Sequence, residues 1–223
     1  MPESSTFKLS PRRGSLRTIQ KNPLSGRVSI ITGGVVDYIN AGEAEIKGVE
    51  FDFLLLPMPE LNPGLVVTGG PAYIDARYTE FVNGRGYDDA TGLAFGEGGA
   101  TLPPRDLSGN RIPRVPELSW VAAINQRIDL DGGHALEFGV DTSYASEMFF
   151  LPQNSEFSKR DALQLYNARA SWLYEPWALE LTAYVSNITD EIYAETAFVS
   201  DFGSSLTVNN DPRMYGLRAR ISF

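Results

Sequence analysis

Cysteine is absent from the 223 residues, which excludes disulfide scaffolds and thiolate metal sites. Histidine occurs once, at His134, which excludes a multi-histidine metal centre and leaves a charge-relay nucleophile unexpected. No apolar run approaches the roughly 18 residues that a spanning helix needs. The opening stretch holds no continuous apolar segment, so no signal peptide is visible. Taken alone, these absences describe a soluble cytoplasmic protein. Net charge is −9, which disfavours nucleic acid as a partner. The charge is uneven: residues 1–27 hold six basic side chains against Glu3 alone, leaving 13 basic and 27 acidic residues for the remainder.

What is present in quantity is period-two alternation, in segments of about a dozen residues. Val49, Phe51, Phe53 and Leu55 oppose Glu50 and Asp52. Leu65, Val67 and Tyr73 align across an interruption at Gly69 and Pro71. Leu118, Trp120, Ala122, Ile124 and Ile128 oppose Glu117, Ser119, Asn125 and Arg127. Leu136, Phe138, Val140 and Tyr144 oppose Glu137, Asp141 and Ser143. Tyr166 to Tyr174, Trp177 to Val185 and Tyr215 to Phe223 repeat the pattern, and a first strand is expected near Val28–Thr32. No long segment reads as an amphipathic helix. The fold class is all-β, an antiparallel up-and-down meander of about eight strands.

Such alternation fits a soluble sandwich and a membrane barrel equally well, because both hide one face of each strand from water. Loop rhythm separates them. Short connections at 57–64, 129–134 and 175–177 alternate with long polar ones at 82–113, 148–160 and 189–211, the layout of an outer-membrane barrel. Aromatic residues gather near strand ends (Tyr73, Tyr78, Phe149, Phe150, Trp172, Tyr174, Trp177), as interfacial girdles do. The charged faces then line a lumen, through Glu50, Asp52, Glu137, Asp141, Arg169, Glu180, Arg218 and Arg220.

Other constellations have plain readings. Asp88 and Asp89 offer oxygen ligands for calcium, but without the spacing of a calcium-binding loop, so a solvated exterior loop is expected. Glu43, Glu45 and Lys47 alternate and Glu50 breaks their phase, giving rim charges rather than a catalytic pair. His134 falls on a short turn, where a solvated side chain is expected. Pro71 removes a ladder donor within a strand and predicts a bulge or weak pairing.

Four motifs carry a resemblance. "NAGEAEIKGVEFDF" (40–53), "DLSGNRIPRVPELSW" (106–120), "VSNITDEIYAE" (185–195) and "PRMYGLRARISF" (212–223) resemble, in that order, the C-terminal half of TonB-dependent outer-membrane receptors. The resemblance covers 28–223 and implies part of a plugged barrel of roughly 22 strands. It implies import of a ferric siderophore or another large scarce nutrient by the intact form, and the TonB complex as its partner. Outer-membrane lipid and the barrel-assembly machinery are the other implied partners. Enzymatic activity and cofactors are not expected. The plug domain and TonB box are not seen, and 1–27 reads as a basic, disordered segment unrelated to the family. The polypeptide alone is therefore expected not to transport, nor to fold stably in water, because an open sheet leaves two unpaired edges. Tyr215, Leu217, Ile221 and Phe223 resemble the C-terminal signal read during barrel assembly. Ligand contacts would come from the exterior loops, where Tyr87, Phe95, Phe157, Tyr193 and Phe202 are candidates, each more simply read as loop packing. The alternatives are a self-contained eight-stranded outer-membrane barrel, a soluble sandwich that binds glycans and, most weakly, an outer-membrane hydrolase.

Overall fold

The computed structural model describes residues 26–32, 35–41, 43–96, 100, 102–199 and 205–222. In chain order the strands are β1 (Gly26–Thr32), β2 (Val35–Ala41), β3 (Glu43–Glu50), β4 (Phe53–Leu55), β5 (Leu65–Glu80), β6 (Gly86–Tyr87), β7 (Ala94–Phe95), β8 (Leu118–Leu130), β9 (His134–Ala145), β10 (Met148–Phe149), β11 (Lys159–Arg160), β12 (Leu163–Tyr174), β13 (Leu179–Ser186), β14 (Ala194–Val199), β15 (Ser205–Asn209) and β16 (Met214–Ile221). Only short 3₁₀ turns interrupt them among the described residues, as the alternation requires.

The main sheet runs β16-β13-β12-β9-β8-β5-β3, with β4 also on β5, and every neighbour is antiparallel. Each long strand therefore lies beside its predecessor in the chain: an up-and-down meander. β3 and β4 occupy one lane, so among the described residues the sheet has seven lanes and two open edges. β1 and β2 form a separate hairpin, and β2 is a strand that the alternation did not reveal.

Pro71 explains the gap between β3 and β4. Glu50 lies opposite Ala72 and Phe53 opposite Gly69, so the register is identical on either side and no residue is inserted. Phe51 N–H donates to Pro71 O at 3.0 Å, but the proline nitrogen has no hydrogen to return. The interruption is a missing rung, not a bulge. The bulge in this lane lies elsewhere, between Glu43 and Ala44.

Cross-strand partners share a face, and the register assembles one apolar surface. Leu217, Ala183, Ala170, Phe138 and Gln126 form one row, and Ala168, Val140, Ile124 and Val67 part of the next. Among the described residues no second sheet covers it. Val140 is 52% exposed, Ile124 54% and Leu217 88%. A sandwich would bury these side chains, and its dry core is not there. Large buried side chains sit instead among the long loops, where Tyr78, Phe81, Phe95 and Leu107 form one cluster and Met148, Phe150 and Ala197 another.

The opposite face is polar and internally paired. Arg127 reaches Glu137 at 3.0 Å and Glu175 at 3.2 Å, and Asn167 donates to Asp141 at 2.7 Å. Glu180 lies directly opposite Arg220. Two glycines make room on this face: a Cβ on Gly139 would sit 2.8 Å from the Arg169 guanidinium carbon, and one on Gly216 would collide with the Tyr184 ring. Backbone without a side chain lets the large neighbour lie across it.

Candidate functional site

The aromatic residues mark two levels on the apolar face. At the long-loop end Trp120 stacks on Tyr144 with ring centroids 6.0 Å apart, and Tyr73 stands at a neighbouring position on β5. At the short-turn end Trp172, His134 and Tyr174 stack, and Trp177 meets Tyr174 edge-on. His134 is half-buried in this stack rather than solvated, 4.6 Å from Tyr174. Ten residues separate Tyr144 from His134 along β9. That is about 34 Å of strand, or roughly 26 Å of height at a 40° tilt, close to the apolar band of about 25 Å on outer-membrane barrels.

Above the upper belt the long loops are built, not loose. The described residues of 81–117 pack over the end of β5, and Phe81 and Phe95 are each only 2% exposed. The expectation of a solvated loop is corrected here: it has its own apolar core. Asp88 closes the β6–β7 turn. Its Oδ1 accepts from Ala90 N–H (3.2 Å), Thr91 N–H (3.0 Å) and the Thr91 hydroxyl (2.8 Å), and its Oδ2 accepts from Arg105. These bonds, the Arg105 pair above all, hold its carboxyl at about pKa 2. Asp89 Oδ2 accepts the Glu156 N–H at 3.2 Å and so ties this loop to the next. Both acids are engaged in loop structure, and no group of three metal-ligating side chains exists among the described residues.

The motif at 106–120 is the knot of the assembly. Asn110 O accepts the Tyr78 N–H, Gly109 N–H returns to Tyr78 O, and Ser108 Oγ accepts the Phe81 N–H. Gly109 turns at φ +86°, a conformation that favours glycine. Arg111 and Asn154 exchange backbone-to-amide bonds of 2.6 and 3.0 Å, binding the first long loop to the second. Arg111 also pairs with Glu147 at 3.3 Å, and Arg114 donates to Thr196 at 2.7 Å, reaching β14 of the third. The motif at 185–195 does similar work. Asn187 is buried, turns at φ +52° and bonds Glu191 in both directions, while Asp190 accepts the Arg213 N–H at 2.8 Å. Two stretches far apart in sequence are thus joined where the chain enters β16.

The candidates sort accordingly. Tyr87 and Phe95 are buried in loop packing. Phe157 is half-buried, as is Tyr193, whose burial raises its pKa. Phe202 lies outside the described residues. Tyr215, Leu217 and Ile221 stand on the apolar side of β16, 72%, 88% and 60% exposed, and Phe223 lies outside the described residues. Lys47 pairs with Glu45 at 2.7 Å, and Glu43 shares their face. The inter-loop fastenings through Arg111, Asn154 and Asp89 were not foreseen. Their only sequence signal was the density of Asn, Asp, Gly and Pro.

Comparison with solved structures finds the same fold in larger proteins. The ferric yersiniabactin uptake receptor FyuA from Yersinia pestis matches with TM-score 0.63 and 22% identity, over 84% of this chain and 25% of that one. The siderophore receptor PiuA from Acinetobacter baumannii matches with TM-score 0.58 and 21% identity, over 86% and 23% of the two chains. BauA, the ferric preacinetobactin receptor from Acinetobacter baumannii, matches with TM-score 0.56 and 15% identity, over 86% and 25%. The chain thus spans about a quarter of the length of each. Residues 17–188 match the family model described as TonB dependent receptor-like, beta-barrel, a span that opens ahead of the expected boundary at Val28. With most of its length inside that model and its sheet superposing on three such receptors, the chain belongs to the TonB-dependent receptor β-barrel family.

Proposed function

We propose that this chain is a section of the wall and exterior loops of an outer-membrane transport receptor, whose intact form imports a ferric siderophore or another large scarce nutrient. One observation carries this reading. A single sheet bears an apolar band of bilayer height on one face and paired charges on the other, with fastened loops at one end only. The siderophore class is supported by what the three similar receptors are called. Tyr215, Leu217 and Ile221 then serve as the signal read by the assembly machinery, a role supported by their exposure on an edge strand. The role is non-enzymatic. Seven lanes with two open edges enclose no pore, so transport requires wall beyond the lanes described.

Two measurements test this. Cell fractionation should place the full chain in the outer membrane. In a strain stripped of its own siderophore receptors, the chain alone should give no uptake of radiolabelled ferric siderophore above an empty vector. Recovery in the cytosol as a folded monomer, or uptake by the chain alone, would overturn the corresponding half of the proposal.

A further inference from the structure

The two cations of β11 differ in their partners. Lys159 pairs with Glu156 at 2.9 Å and Asp161 at 3.9 Å. Arg160 pairs with no carboxylate among the described residues, and its Nε is buried with no hydrogen-bond partner. Buried polar groups are nearly always bonded, and a buried charge left unpaired is the costliest exception. Four buried side-chain atoms lack a partner among the described residues. Three of them, Gln153 Nε2, Ser155 Oγ and Arg160 Nε, belong to the second long loop.

The register explains how Arg160 loses water. Met148 lies opposite Arg160, and Phe150 N–H donates to Ser158 O at 2.7 Å. Cross-strand partners share a face, so Arg160 and Ser158 stand on the side of Met148 and Phe150. Ala194 and Ala197 of β14, in the third long loop, pack against that side, and Ser158 is fully buried. Burial lowers the pKa of Arg160. Tyr193, the residue before β14, is near enough for the two side chains to act on each other's charge. Burial raises the Tyr193 pKa most and Glu195 adds to this, against the pull of Arg160, so the phenol keeps its proton at neutral pH. Asp211 also acts on Tyr193, but neither acid bears on Arg160. A guanidinium and a protonated phenol thus meet at a loop junction as donors. The edge of a guanidinium matches two oxygens of a carboxylate or phosphate.

We propose that Arg160 and Tyr193, at the junction of the second and third long loops, bind a compact oxyanion, carboxylate or phosphate, carried by a soluble ligand. Arg160 donates through Nε and a terminal nitrogen, Tyr193 donates through its hydroxyl, and the bound charge fastens β14 to β11. Both strands belong to the loops and not to the apolar wall, which favours an aqueous ligand over a lipid headgroup. The site rests on the reading of these loops as the exterior end of a receptor.

The test is hydrogen exchange of the full chain in phosphatidylcholine vesicles, in inorganic phosphate and in chloride at equal pH and ionic strength. Phosphate should slow exchange at 194–197 severalfold relative to chloride. Arg160→Met keeps the length but not the charge and should remove that difference. In chloride Arg160→Met should exchange there no faster than the native chain, because an unpaired buried charge has been withdrawn. Tyr193→Phe should weaken the phosphate effect without abolishing it. Equal exchange of the native chain in both salts, or phosphate slowing that survives Arg160→Met, would overturn the site. Faster exchange of Arg160→Met in both salts would overturn it too, by making Arg160 a packing residue. Phosphatidylglycerol vesicles in chloride separate the sources: slowing there, with nothing further from phosphate, would give the site to a headgroup and overturn the soluble ligand. Protection of β9 and β12 reports the wall separately, and its loss in the native chain would refute the receptor reading on which the site rests.

Discussion

Val140→Arg decides which side of this wall meets hydrocarbon. Val140 lies on the apolar face, opposite Ile124 on one side and Ala168 on the other, and is 52% exposed with no second layer above it. It stands four residues from Tyr144 toward the short turn. That is about 14 Å of strand and roughly 10 Å of height below the upper aromatic belt, well inside the apolar band. An arginine near the bilayer midplane of a barrel costs about 2–4 kcal/mol, or about 30- to 900-fold in the folding equilibrium. The control is Ala123→Arg on the charged face, between Thr68 and Asp141, where a guanidinium gains an acidic neighbour and the cost should stay within about 0.5 kcal/mol. Urea titration of the full chain in phospholipid vesicles, followed by tryptophan emission from Trp120, Trp172 and Trp177, measures both. If Val140→Arg costs no more than Ala123→Arg, the apolar face does not meet lipid and the barrel-wall reading falls.

Three further outcomes follow from the geometry. Gly216→Ala drives a methyl into the Tyr184 ring and should cost about 1–3 kcal/mol in the same titration. Tyr184→Ala should remove most of that penalty, whereas strictly additive effects would show that the two residues do not touch. Phe81→Ala empties the core of the first long loop, a loss of about 3–5 kcal/mol. Protease cutting within 82–113 should rise accordingly while β9 and β12 stay protected, and unchanged cutting would refute the loop core. The Asp88 carboxyl has its pKa lowered from 3.8 to about 2, first by Arg105 and then by Thr91. A depressed acid stabilises the fold above its unfolded pKa and loses that contribution as pH falls through its folded one. Exchange protection at Ala90 and Thr91 should therefore hold at pH 4 and fall toward pH 2, and Asp88→Ala should abolish it at neutral pH.

Much of the wall was legible because strand chemistry is local. Side chains alternate every second residue, so Trp120 to Ile128 or Tyr166 to Tyr174 announces a two-faced strand without reference to any neighbour. The alternating loop lengths followed from the same segmentation, and they gave the meander. β2 escaped because Val35–Ala41 mixes apolar and polar residues without a clean phase. Pro71 was read as a weak point, and only the register on both sides showed a lost rung in place of an inserted residue.

The loops were illegible for the opposite reason. A loop's structure lies in bonds between distant residues, and no periodicity records that Arg111 meets Asn154, that Asp89 meets Glu156, or that Asp190 meets Arg213. His134 looked solvated because its neighbours in sequence are turn residues, whereas its neighbours in space are Trp172 and Tyr174 on the next strand. By itself the sequence determined an all-β chain whose strands each carry one apolar and one charged face, since backbone stereochemistry fixes that alternation. The tertiary structure alone decided that the apolar faces merge into one uncovered surface, and that the long loops pack into a fastened cap. Both depend on cross-strand register and long-range contacts that no single strand contains.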